Sequence, residues 1–258
     1  MQTHATFKAI RTLAAASMVL GCVGANAAPF FWTDWTGTDL DPGPGFRAQG
    51  TITTTTSTVG VTYTNANGIG FYQPSGGTDF YTSSPPGSSP YTSALVDNRP
   101  TGTDIIALSR AGTQTLRFSE AIANPVFAFV SLNGNGYAFD QDFDILSIGG
   151  QAGRACGFWG CGGASKVVVD LGGGNFEYQL NSNNVGGSEP HGTLQFRGAF
   201  DTVTWRSSTN EFWNGFTVGV QGTALEVPVT AVPEPETYAL FGLGLAALSL
   251  VRKRRKAR

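Results

Sequence analysis

The chain of 258 residues is 41% hydrophobic but only 13% charged, with 35 glycines and a formal net charge of −2. Composition so poor in charge and so rich in glycine departs from helical proteins and points to β-structure. The small net charge hides a segregation: residues 28–230 hold sixteen Asp and Glu against eight Arg and Lys, while both ends are basic. An acidic middle excludes nucleic acid as a partner, because phosphate binding needs clustered cations, and leaves Ca²⁺ open.

In chain order, Lys8 and Arg11 form a positive n-region, residues 13–21 an apolar h-region, and Ala25-Asn26-Ala27 an A-x-A cleavage site that makes Ala28 the first mature residue. Residues 1–27 are therefore expected to be a helical signal peptide delivered to the Sec machinery. Val19-Leu20-Gly21-Cys22 is a competing, lipobox-like reading that would lipidate Cys22, although Leu20 is large for its place.

Residues 28–222 show no sustained helical periodicity. Alternating or β-branched runs bounded by Gly, Asn or Pro predict strands over 51–64, 104–109, 113–118, 126–132, 137–148, 166–171, 176–180, 193–197, 199–206 and 215–221. Strands at this spacing predict one antiparallel β-sandwich or jelly-roll-like domain, and the length supports a single core. Residues 74–100, rich in Ser, Pro, Gly and Tyr, read as a long surface loop or lid, with Tyr72, Tyr81 and Tyr91 as a polar-aromatic surface. Residues 223–231 read as a linker.

Three constellations could carry chemistry. Asp140, Asp142 and Asp144 alternate, so in one strand they share a face, suiting Ca²⁺ or merely forming a solvated edge. Cys156 and Cys161, an even pair once Cys22 leaves with the signal, read first as a disulfide; a metal or redox pair is the rival. Phe158 and Trp159 sit between them, either as a platform for stacking on a sugar ring or as a cap folded onto the core.

Catalysis is written less plainly. His191 is the one histidine after residue 28, in a loop where a surface position is the ordinary reading. No G-x-S-x-G elbow or phosphate loop is present. Glu120, Glu177, Glu189 and Glu211 could supply a glycosidase pair, as carboxylates of any chain this size could.

The tail, 232–258, begins Val232-Pro233-Glu234-Pro235-Glu236-Thr237, continues through an apolar run of about 14 residues, and ends in Arg252, Lys253, Arg254, Arg255, Lys256 and Arg258. As a helix that run rises about 21 Å, short for a ~30 Å hydrocarbon core, and the cations hold its end on the cytoplasmic side. Triplet, short glycine-containing span and basic stop together resemble the PEP-CTERM sorting signal of Gram-negative bacteria. The resemblance implies a transmembrane helix before processing, recognition by an exosortase, cleavage near the triplet, and association with exopolysaccharide or biofilm matrix. Residues 118–129 and 214–220 also resemble strands common in the ectodomains of such proteins, with Ala121 where a proline is often found.

These readings imply an exported, non-catalytic structural or polysaccharide-binding module of the cell surface or extracellular matrix. The alternatives are a secreted glycan hydrolase and a protein-binding adhesin.

Overall fold

The computed structural model describes residues 29–84, 88–183 and 188–227. The expected signal peptide and the sorting tail, each expected to contain a helix, lie outside the described residues. Within them every regular element is a strand: β1 (Phe31–Trp32), β2 (Asp34–Thr36), β3 (Phe46–Thr53), β4 (Thr58–Asn65), β5 (Phe71–Gln73), β6 (Ile105–Leu108), β7 (Gly112–Ala123), β8 (Val126–Val130), β9 (Gly136–Phe139), β10 (Phe143–Ile148), β11 (Ala164–Gly172), β12 (Asn175–Ser182), β13 (Gly192–Phe196), β14 (Ala199–Ser207) and β15 (Asn214–Val220).

Burial sorts these strands into two kinds. In β3 and β4 buried and open positions alternate, as a strand with one wet face requires. β6, β8, β13 and β15 are buried at every residue. The strands form two antiparallel sheets, the fully buried ones lying in the first except β9, which is also buried throughout but belongs to the second. One runs β10-β13-β8-β15-β6-β5, with β1 also on β15; the other runs β11-β12-β9-β14-β7-β4-β3-β2.

The sheets meet over an aromatic core. Phe127 of β8 lies 5.3 Å from Trp205 of β14, 5.4 Å from Phe196 and 5.7 Å from Phe216, centroid to centroid. Tyr63 of β4 closes the same cluster 5.5 Å from Phe216. A second apolar layer lies on the other side of the seven-stranded sheet. There Val126, Ala128, Val130 and Ile105 pack with Phe30, Trp32, Tyr81, Tyr91 and Val96.

The long loop expected as surface is thus the cover of that layer. Tyr81, Tyr91 and Val96 are fully buried. Tyr81 donates its hydroxyl to the Asp104 carbonyl at 3.3 Å, and Asn98 clasps Phe30 by accepting from its N–H at 2.7 Å and donating to its carbonyl at 2.9 Å. Irregular chain buried this way must satisfy its polar groups internally, and these bonds do so.

Two predicted strands are each two. Residues 51–64 contain a hairpin, turning at 54–57 where Thr54 N–H bonds the Ser57 carbonyl at 2.9 Å. Residues 137–148 break after Phe139, and the chain crosses from the eight-stranded sheet to the seven-stranded one. Three like charges on one strand face repel, and the break separates them. Residues 223–227, expected as linker, pack on the domain: Thr223 is buried and bridges Ile122. Glu226 accepts from Thr54 Oγ1 at 2.7 Å and Thr56 N–H at 3.0 Å. Phe127→Ala should cost about 3–5 kcal/mol through the cavity it opens, read as a lower urea midpoint at unchanged slope.

Candidate functional site

In the seven-stranded sheet β13, β8 and β15 are neighbours, and antiparallel order brings the exit of β8 beside the entries of β13 and β15. Ser131 and Asn133 leave β8 there. Glu189, Pro190 and His191 enter β13, and Glu211, Phe212 and Trp213 enter β15. Three segments far apart in sequence therefore share one end of the sandwich.

The cysteines form a disulfide at that end, with Cα atoms 4.7 Å apart. Between them Gly157 and Gly160 exchange backbone bonds of 3.1 and 3.2 Å, which makes Phe158-Trp159 the tip of a two-residue turn. Gly157 is required, because a Cβ there would stand 2.1 Å from the His191 ring.

His191 is the keystone of this end. Expected on the surface, it is fully buried, because Pro190 and the start of β13 carry it beneath the disulfide turn and the long loop. Trp159 N–H donates to Nε2 at 3.3 Å, so Nε2 is the acceptor and Nδ1 carries the proton. Nδ1–H then donates to the Tyr91 hydroxyl at 3.0 Å, which donates onward to the Phe80 carbonyl at 3.3 Å. Burial pushes His191 down to about 3, keeping the ring neutral. The unfolded chain takes up the proton first, so the stability this chain of bonds supplies is whole above pH 6.5 and is lost as pH falls toward 3.

Aromatic stacking completes the support. Trp213 meets Phe71 at 5.1 Å and Phe80 at 5.0 Å; Phe80 meets Phe158 at 5.3 Å, and Phe158 meets Trp159 at 4.8 Å, all edge to face. Phe158 is the pedestal, and Trp159 stands 48% exposed above it rather than folding onto the core.

Beside Trp159 is a cleft of 230 Å³ lined by Ser131, Asn133, Trp159, Glu189, Glu211, Phe212 and Trp213. Ser131 takes a left-handed backbone, φ 61°, rare outside glycine. Its hydroxyl bonds Glu189, which also accepts from Asn133 Nδ2 at 3.4 Å. Glu211 Oε2 is buried without a partner of hydrogen-bond geometry. Burial, reinforced by the Glu189 charge and opposed by Asn214, Asn135 and the Asn133 backbone, pushes the Glu211 carboxyl up to about 8. Of the four glutamates considered from sequence, the fold brings these two together. It places Glu177 on the other sheet, paired to Arg206 at 3.1 Å. Ser131 gave no sequence signal, since its importance lies in a backbone angle.

A larger depression of 510 Å³ lies over Gln49, Thr62 and Arg117 on the eight-stranded sheet. It is an open strand face of mixed polarity with no carboxylate in its lining, so the smaller cleft is the better candidate. Asp140, Asp142 and Asp144 lie where β9 gives way to β10, not along one strand. Asp142 pairs with Lys166 and caps Phe143 N–H at 2.7 Å, Asp144 pairs with Arg197 at 2.5 Å, and Asp140 is exposed. Among the described residues no three His, Cys, Asp or Glu side chains converge as metal ligands.

The body of the chain is thus a two-sheet β-protein with a loop-borne aromatic and carboxylate cleft. Its end places it more narrowly: residues 231–255 match the PEP-CTERM protein-sorting motif, spanning Pro233-Glu234-Pro235 and most of the basic cluster. The chain thus carries a PEP-CTERM sorting motif, which supports an exported, membrane-anchored precursor processed by an exosortase. No curated protein and no solved structure matches it.

Two outcomes test these assignments. Replacing Pro233-Glu234-Pro235 with alanines should leave unprocessed precursor in the inner membrane on pulse-chase immunoblots; normal processing would refute the role of the triplet. Because a carboxyl with a raised value favours the folded state more as pH falls from 8 to its unfolded 4.5, Glu211→Gln should raise the melting temperature at pH 8. The gain should vanish by pH 4.5, and an equal gain at both pH values would exclude a buried charge as its cause.

Proposed function

We propose that the exported domain is a non-catalytic polysaccharide-binding module of the cell surface or extracellular matrix, and that the cleft beside Trp159 is its sugar site. The observation that carries this reading is an exposed tryptophan held rigid at the rim of a cleft that contains two carboxylates. A pyranose ring has an apolar face, which stacks on an indole, and a rim of hydroxyls, which donate to carboxylates and amides. Trp159 supplies the first surface; Glu189, Glu211 and Asn133 supply the second. A disulfide, an internal histidine and a ladder of edge-to-face rings keep Trp159 in place before any ligand arrives, which lowers the entropic cost of binding. An exosortase substrate with such a site fits attachment to exopolysaccharide or biofilm.

A second reading, glycan hydrolysis, is favoured by one specific observation. Glu211 is a carboxyl biased toward its protonated form beside a second carboxylate, the electrostatic pattern of a general acid and its partner. Glycan-array binding of the exported protein, with and without Ca²⁺, separates the readings. Binding weakened about tenfold or more by Trp159→Ala, without release of reducing ends, supports the binding module. Reducing ends that appear with the native protein and disappear with Glu211→Gln would replace it with the hydrolase. Binding only to proteins would replace it with an adhesin.

A further inference from the structure

The β11–β12 hairpin reaches beyond the sheet it belongs to. β12 pairs with β9 only from Tyr178 to Asn181, so the part of the hairpin nearest its turn has no strand beside it. Val167, Val168, Leu171 and Phe176 there are 42%, 52%, 63% and 44% exposed. β11 is the outer strand of the eight-stranded sheet.

The phase of the free edge follows from the hydrogen bonds on the paired side. Asn183 N–H donates to the Gly163 carbonyl at 2.8 Å, in line with the Ser165↔Asn181 and Val167↔Gln179 pairs. Odd-numbered residues of β11 therefore bond β12, while Lys166, Val168 and Asp170 turn their N–H and C=O groups outward. An edge of this kind templates another strand unless proline, a bulge or an outward charge protects it. From 164 to 170 there is no proline, and the one register shift lies after Asp170. The ammonium of Lys166 is turned inward to Asp142 and, at 2.6 Å, to the Phe143 carbonyl.

We propose that β11 pairs antiparallel with β11 of a second copy of this chain, about a twofold axis through Val168, joining two eight-stranded sheets into one. Charge selects this register. Centred on Val168, each Lys166 faces Asp170 of the other copy. Centred on Lys166 or Asp170, like charges face each other; centred on Val167, Lys166 faces Val168 and Asp170 faces Ala164. The favoured register also matches the free backbone phase. The pairs Lys166↔Asp170, Val168↔Val168 and Asp170↔Lys166 all lie on outward-turned residues, so each can exchange two backbone bonds. Val167 then faces Val169 of the other copy, covering apolar surface now open to water. Lys166 has three donors, two already engaged, and keeps one for the incoming carboxylate. Asp170 uses Oδ1 for the Gly172 N–H at 2.7 Å and keeps Oδ2.

Sedimentation equilibrium of the full chain in density-matched detergent tests this. The expected result is a two-chain species. Asp170→Lys turns two attractive pairs into two repulsive ones and should weaken association about tenfold or more. Val168→Pro removes an N–H that faces outward and bonds nothing inside the hairpin, so it should abolish association with an unchanged circular dichroism spectrum. A native chain that stays monomeric at millimolar concentration overturns the proposal. So does a dimer that persists undiminished in both variants, which would place the interface elsewhere.

Discussion

A strand such as β8, with Phe127 and Phe129 on one side and Val126, Ala128 and Val130 on the other, cannot turn either face to water. Parallel sheets meet that condition with helices from their crossovers. An antiparallel sandwich has only one opposing sheet, so here the second face is covered by irregular chain: the segment around Phe30 and Trp32, and the long loop holding Tyr81, Tyr91 and Val96. Covering a sheet with loop is harder than covering it with helix, since every backbone group in the loop needs a partner chosen individually. Tyrosines suit the task because each fills volume with its ring and still offers a hydroxyl at the far end.

The cleft is a by-product of that cover. The Tyr91 hydroxyl donates to the Phe80 carbonyl and accepts from His191, buried at the start of β13. The other nitrogen of the same ring fixes the Trp159 backbone. Packing of the sheet's outer face and orientation of the exposed indole are therefore coupled through one imidazole. Both nitrogens of that buried, neutral ring are used structurally.

The alternating and continuous apolar runs made most strands readable, because period-two burial and unbroken Val, Ile and Phe segments leave direct traces in the chain. The turn at 54–57 did not show, since Thr-Thr-Thr-Ser has the same β-propensity as the strands it joins. The break after Phe139 hid because alternating carboxylates look alike in a strand and in a turn. Cys156, Gly157, Phe158, Trp159, Gly160 and Cys161 announced a tight aromatic turn by their spacing alone. Glu189 and Glu211 were visible individually, but their meeting depends on the sheet order β13-β8-β15, which no local pattern records. The burial of His191 and of the loop tyrosines was invisible for the same reason: both depend on which surface the loop lies upon.

The anchorage of Glu226 to the β3–β4 turn has a consequence for orientation. From Val227 to Tyr238, where the apolar run begins, the chain can span at most about 40 Å when fully extended, which bounds how far the domain can stand from a membrane that the tail enters. β15 runs from the cleft at Asn214 toward the Thr223–Glu226 clasp, a length of roughly 20 Å over its seven residues. The described chain therefore ends at one end of the sandwich while Trp159 stands at the other. Any attachment through the tail thus starts from the end of the sandwich opposite the exposed indole.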